Sequence, residues 1–328
     1  PDTPAADQRE LLSRTAPSTR TYLIYLPMVL LFAWGTTAAF RPVWNNDIWY
    51  LLRESCDIVA SGEIPRVDQY SAVAAGRPYL ANEWLSGLIF LGIFKLGGGE
   101  ALTVFRTLIM LAILLLLWFS LEKRTRSFVL TSWLLALTAY IILERLFVRP
   151  HAFTLLILCV WVFSLERWRR QRRLRYLIIL VPLQILWANL HGGYIIAPVL
   201  GAMMTGSAAF LVMFPSWSKD ESYDWSDVLK LAVLTVACLA ASLINPHGLR
   251  LLEFSLTLSL ASDYIKQFIY EWRSPLAASY MGRAYGSDVA LSIFILIWLG
   301  LALNVKRRPL VDAVFALMAT VITAQAIR

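Results

Sequence analysis

The sequence predicts an all-α protein that crosses a membrane many times. Hydrophobic residues make up 58% of the 328 positions, which exceeds the roughly one half that is usual in soluble domains. They are gathered in long runs, and the basic residues stand in short clusters between those runs. This distribution is typical of a membrane protein, in which basic clusters between the spans determine the orientation. The formal net charge of +8 therefore does not indicate nucleic-acid binding.

We predict about nine membrane spans from the apolar runs. They cover residues 22–40, 101–120, 127–144, 152–165, 176–190, 194–214, 228–244, 289–304 and 309–327. The first run is long enough for a retained helix rather than a cleaved signal peptide. The stretch 84–97 is also apolar, but about 14 residues is typical of a re-entrant or surface-lying segment, so we expect interfacial helices within the first outer loop.

The positive-inside rule then selects one topology. The basic clusters at 123–126, 167–175 and 306–308 fall on the cytoplasmic side, together with an amino-terminal segment, 1–21. Residues 22–328 are expected to form a single transmembrane domain. Its larger outer loops are 41–100 and 245–288.

All three histidines stand at ends of apolar runs on the predicted outer face. Their fragments are RPH at 149–151, NLHGG at 189–193 and NPHG at 245–248. The same topology brings five charged residues to that face, namely Asp47, Asp68, Glu83, Arg145 and Arg149. Ionisable residues at a membrane boundary are candidates for function, so we expect the site there.

Asp47 lies just outside the first predicted helix, within the aromatic fragment WNNDIWY at 44–50. Aromatic walls and a nearby arginine act on a carboxylate in opposite directions, and the balance between them suits a general base. A helix cap formed by Asn46 or Asp47 is an alternative that is compatible with catalysis.

Two further polar fragments follow in the same loop, GEIPRVDQYS at 62–71 and GRPYLANEWL at 76–85. An acidic residue after the first helix, a polar signature before an interfacial helix and an arginine near the next span resemble the GT-C superfamily of membrane glycosyltransferases. The chain is most similar to a bacterial branch with the pattern aspartate-x-tryptophan, glycine-x-isoleucine-proline and glutamate-tryptophan-leucine. The resemblance covers residues 22 to about 275.

The resemblance implies a transmembrane helical bundle of GT-C type in a bacterial cytoplasmic (inner) membrane. It implies a transferase that moves a sugar from a polyprenyl-phosphate carrier to a glycan, lipid or protein acceptor on the outer side. Asp47 matches the position of the family's acidic base. The family often carries two neighbouring acids, whereas Asn45 and Asn46 precede Asp47 here, so Glu83 or Asp68 would supply the second carboxylate.

The basic residues of the outer face suit the phosphate of a lipid-linked donor. Arg149 and Arg145 offer planar forks of donors, and a departing phosphate needs such stabilisation. Histidines add further donors, and two asparagines stand beside them in tight turns; these residues are His151, His191, His247, Asn189 and Asn245. Arginines that reach toward lipid headgroups and histidines with structural hydrogen bonds are the simpler alternatives.

No cofactor is expected, although three histidines on one face leave a zinc or other divalent metal site open, without the short spacing of a metal motif. Two other functions stay open. One is a non-catalytic GT-C-fold subunit that acts with partner membrane proteins. The other is a lipid or sugar transporter, whose substrate path polar helix ends would line.

Overall fold

The computed structural model describes residue 29 and residues 47–125, 127–143, 147–217 and 222–259. Secondary structure in these residues is helical, with no strand beyond an isolated antiparallel bridge between Val67 and Pro78. The predicted all-α class is therefore confirmed for this part of the chain. The predicted segment 1–21, the spans 22–40 (save residue 29), 289–304 and 309–327, and most of the loop 245–288 lie outside the described residues.

Nine α-helices form the described part of the chain. They are α1 (Asp47–Ser61), α2 (Trp84–Thr125), α3 (Phe128–Leu143), α4 (His151–Gln171), α5 (Arg175–Ile178), α6 (Leu180–Leu190), α7 (Ile196–Met213), α8 (Trp225–Ala241) and α9 (Leu249–Ser259). Short 3-10 turns, Gly192–Ile195 and Pro215–Trp217, stand on either side of α7. All six predicted spans between residues 101 and 244 fall largely on these helices.

Among the residues that the structure describes, three helical segments are long and apolar enough to cross a membrane. By length and composition they are Trp84–Leu121, His151–Gln171 and Gly192–Met213, and Arg175–Leu190 is a shorter apolar segment. The chain therefore has the character of a membrane protein. The number of spans and the GT-C type stay predictions.

Helix α2 is sharply bent rather than straight. Gly97 and Gly98 leave helical geometry, with φ −171° and +61° respectively. The rings of Phe90 and Phe105 lie 6.2 Å apart and both pack on Phe153 of α4, although a straight helix would separate them by about 22 Å. The segment before the bend therefore does not continue the segment after it, and residues 99–121 alone are long enough to span. The interfacial position of 84–97 stays a prediction.

Helix α4 runs in the direction opposite to α6 and α8. At one end of α4, Thr154 contacts His191, which directly follows α6. At the other end, Arg172 contacts Asp227 in the first turn of α8. The bundle thus has two distinct ends. We call the one where α1, α2 and α4 begin the polar end, and the one where α4 ends the basic end.

The basic end carries the run of arginines at 167–175. Arg172 adopts a left-handed conformation (φ +53°) after α4, and its guanidinium lies over the rings of Trp168 and Tyr223, at 4.8 and 4.5 Å. Its Nη1 lies 3.0 Å from Asp227 Oδ2. Residues 123–125 end α2 on this side as well, because α3 returns from there toward residue 147. The third predicted basic cluster, 306–308, lies outside the described residues.

Candidate functional site

The polar end brings Asp47 and Arg149 together. Arg149 Nε lies 2.9 Å from Asp47 Oδ2, with side chains 25% and 59% exposed respectively. Asp47 opens α1, and the buried Ile48 behind it fixes that helix against the core. The guanidinium also lies 5.5 Å from the ring of Phe147. A carboxylate and the planar donors of a guanidinium therefore face the same partly exposed space.

A second acidic and basic pair stands at the same end. His191 Nε2 lies 3.5 Å from Glu83 Oε1, with side chains 15% and 29% exposed respectively, and this pair is more enclosed than the first. Glu83 directly precedes α2, and Ser86 one turn later donates to the carbonyl of Leu190 at 2.6 Å. That bond holds the start of α2 against the end of α6.

The ring of His191 is held from its other side. Its Nδ1 accepts from the backbone N–H of Gly193 at 2.9 Å and lies 2.9 Å from Thr154 Oγ1. Trp187 Nε1 donates to the same Thr154 oxygen at 2.8 Å. The ring orientation is therefore set by three groups on α4, α6 and the following 3-10 turn, and Nε2 is directed toward Glu83.

Tyr50 is a further polar residue at this end. It stands one turn after Asp47 in α1, and its hydroxyl is hydrogen-bonded to that of Tyr79. Burial raises the pKa of Tyr50, and the carboxylates of Glu54, Asp68 and Glu83 raise it further. Tyr50 and these carboxylates therefore share one electrostatic neighbourhood at the polar end.

His247 reaches the same neighbourhood from the loop after α8. Its ring is hydrogen-bonded to the carbonyl of Ala81, two residues before Glu83. Burial lowers the pKa of His247, and Arg66 lowers it further. Its buried Nε2 has no hydrogen-bond partner among the described residues. The structure therefore brings two of the three predicted histidines to the residues around Glu83.

Asn189 bonds mainly to backbone groups. It accepts from Trp84 Nε1 at 3.1 Å and donates to the carbonyls of Ile185 and Ile244 at 2.8 Å each. It thereby joins α2, α6 and the loop after α8. These contacts give Asn189 a structural role, and a direct role in ligand binding stays a prediction.

Two other predicted site residues shape their own loops. Asn245 donates to the carbonyl of Ser242 and accepts from the N–H of His247, both at 2.8 Å. Asp68 Oδ1 accepts from the N–H groups of Tyr70 and Ser71, at 2.8 and 2.9 Å. The Asp68 carboxylate closes a turn in the loop between α1 and α2, and it is not one of the two acids paired above.

The last two predicted residues are placed differently. His151 is the first residue of α4 and lies at the polar end, partly exposed. Arg145 lies outside the described residues. Within the described ranges, no group of three histidine, cysteine or acidic side chains is arranged to hold a metal ion.

Sequence reasoning missed a buried carboxyl on α1. Glu54 is 1% exposed, and its Oε1 has no hydrogen-bond partner among the described residues. Burial raises the pKa of Glu54, and a hydrogen bond from Tyr79 partly offsets this. The available signal was its spacing: Glu54 stands three residues after Leu51 and four before Ile58, both of which face the core.

Comparison of the chain with protein-family models, with curated proteins and with solved structures finds no match. A functional conclusion therefore depends on the chemistry of the residues at the polar end.

Proposed function

We propose that the protein is a membrane glycosyltransferase that moves a sugar from a polyprenyl-phosphate carrier to an acceptor hydroxyl. The observation that carries the proposal is the pairing of Asp47 with Arg149 and of Glu83 with His191 at one end of an apolar helical bundle. A lipid-linked donor needs an apolar surface for its tail and polar groups at the membrane boundary for its phosphate and sugar.

The reaction assigns separate tasks to these groups. The acceptor oxygen attacks the anomeric carbon, its proton passes to a carboxylate, and the bond from that carbon to the phosphate oxygen breaks. The phosphate leaves with the bonding electrons and remains on the polyprenyl chain. Arg149 stabilises this developing charge, because a guanidinium binds phosphate oxygens through two parallel donors.

The side of the membrane on which transfer takes place follows from the charge distribution. The arginine-rich basic end is opposite to the two acid pairs. Under the positive-inside rule the basic end faces the cytoplasm and the polar end faces outward. The acceptor would then be a glycan, lipid or protein of the cell envelope, and the membrane would be the bacterial cytoplasmic membrane.

Donor binding is the first test. Native mass spectrometry of the purified full chain with polyprenyl phosphate measures affinity for the carrier without a sugar. We expect Arg149→Gln to weaken binding about 10-fold or more, since a charge-assisted hydrogen bond contributes roughly 1.5–3 kcal/mol. Arg53→Gln is the matched control, because Arg53 forms an exposed ion pair with Asp57 within α1.

Transfer is the second test. Proteoliposomes would receive radiolabelled polyprenyl-phosphate glucose or mannose with an envelope extract as acceptor, and release of unglycosylated carrier would be followed. Carrier binding without release under any donor would favour the alternative of a non-catalytic subunit. Equal binding by the Arg149→Gln and Arg53→Gln variants would overturn the donor site itself.

A further inference from the structure

Two groups that only donate hydrogen bonds determine the protonation of the His191 ring. The backbone N–H of Gly193 donates to His191 Nδ1, so that nitrogen carries a lone pair. The indole N–H of Trp187 donates to Thr154 Oγ1, which leaves the Thr154 hydroxyl proton available for the same Nδ1 at 2.9 Å. A proton on Nδ1 would face the Gly193 N–H, which can only donate, so the ring carries its proton on Nε2 and the Thr154 hydroxyl donates to Nδ1.

The proton on Nε2 faces Glu83. The separation from Glu83 Oε1 is 3.5 Å, slightly longer than a formed hydrogen bond, and such contacts shorten when a ligand fills a site. The partner of Glu83 is thus a neutral imidazole that donates one proton. The partner of Asp47, in contrast, is the permanently charged guanidinium of Arg149 at 2.9 Å.

This contrast separates the tasks of the two carboxylates. The charge of Asp47 is already compensated by Arg149, and the same guanidinium is the group that phosphate would bind. The Glu83 carboxylate instead faces the Nε2 side of the His191 ring, which fixes its orientation. A carboxylate of the second kind is better suited to take a proton from a hydroxyl.

We propose that Thr154 is a positioning residue that holds His191 in its Nε2-protonated form, so that His191 orients Glu83 to receive the proton of the acceptor hydroxyl. In this step the acceptor O–H bond breaks and its proton moves to a Glu83 oxygen. The freed electron pair forms the new bond to the sugar, and the departing phosphate takes the electrons of the old one. The role of Glu83 rests on the proposed function; the tautomer of His191 does not.

The tautomer is tested directly by nitrogen NMR of the full chain labelled with ¹⁵N-histidine. The chain has only three histidines, and a His191→Gln variant identifies the signals of residue 191. We expect an unprotonated Nδ1 in the wild type and in Thr154→Ser, which keeps the hydroxyl. Thr154→Val has nearly the same shape without the hydroxyl, and we expect the fraction of Nδ1-protonated ring to rise. A wild-type ring with its proton on Nδ1 would overturn the inference, whatever the fate of the variants.

Kinetics test the consequence for Glu83. We expect Thr154→Val to lower kcat about 10-fold with little change in the donor KM, a loss comparable to that from removing the hydrogen-bond partner of a metal-bound histidine. Thr154→Ser should restore most of kcat. Unchanged turnover in Thr154→Val with the altered tautomer would overturn the role of Glu83. Absence of transfer in every variant would instead contradict the proposed function, and the NMR result would stand by itself.

Discussion

A Cβ atom on Gly193 would lie 2.7 Å from Thr154 Oγ1 and 3.0 Å from His191 Nδ1. The start of the 3-10 turn therefore approaches α4 as closely as a backbone without a side chain permits. This contact is what brings the Gly193 N–H to the histidine ring. Only glycine fits this position without a shift of its neighbours.

We expect Gly193→Ala to destabilise the protein by about 1–3 kcal/mol, because the added methyl overlaps a packed side chain. The apparent Tm in detergent, from tryptophan fluorescence, measures this. Gly206→Ala within α7 is the control, since a Cβ there meets nothing within 4 Å. Thr154→Ala removes the overlapping atoms, so Gly193→Ala should lower the stability less in the Thr154→Ala variant than in the wild type. An equal loss of stability in the wild type and in Thr154→Ala would contradict this contact.

The bend in α2 gives a second prediction. Gly98 has φ +61° and ψ −145°, a conformation that side chains strongly disfavour, so Gly98→Ala should cost about 1–3 kcal/mol of stability. Gly99→Ala should be neutral or stabilising, because a Cβ at that position is unobstructed and helices favour alanine. The difference in apparent Tm between the two variants is the measurement, and no difference would mean that the bend does not need Gly98.

Glu54 predicts a pH dependence of stability. Burial raises its pKa above the ordinary 4.5, so the folded state binds this proton more tightly than the unfolded chain does. Its contribution to stability is complete below about pH 4.5 and is lost as the pH rises through the raised pKa. Glu54→Gln does not titrate, and we expect its apparent Tm to exceed that of the wild type at pH 7 by an amount on the order of a few °C.

The advantage of Glu54→Gln should shrink as the pH falls toward 4.5. Glu63→Gln provides the comparison, because Glu63 is exposed in the following loop. A constant difference between Glu54→Gln and the wild type across this pH range would show that the buried carboxyl does not titrate in it.

Kinetics distinguish the two paired acids. We expect Glu83→Gln to lower kcat by roughly 10²–10⁴-fold, the usual contribution of a general base. Asp47→Asn releases Arg149 from its ion pair, so its main effect should be a changed donor KM. Initial rates of carrier release over a range of donor concentrations separate these effects. A kcat loss confined to Asp47→Asn would return the base role to the position that the sequence pattern favours.

Most of the helices could be predicted from the sequence, because a long apolar run is visible without knowledge of the fold. The length of 84–97 and the glycines at its end also indicated a segment separate from 101–120. The degree of bending in α2 could not be predicted, because it depends on Phe153 of α4, which packs on both Phe90 and Phe105. Such contacts join residues that are far apart along the chain.

The site was accessible only in part for the same reason. Topology placed Asp47, Glu83 and Arg149 on one face, but it did not state which acid meets which base. Thr154 gave no signal, because an apolar run with one threonine is ordinary. It became informative only when the fold placed His191, Gly193 and Trp187 around it.

Helix α4 joins the two ends of the bundle. Arg149 and Thr154 flank its first turn, and Arg172 anchors its last turn to α8. A rod of that length spans about 30 Å, so any axial slide of α4 would loosen both acid pairs at once. A disturbance of the Arg172 anchor at the basic end would thereby be transmitted along one stiff helix to the acid pairs at the polar end.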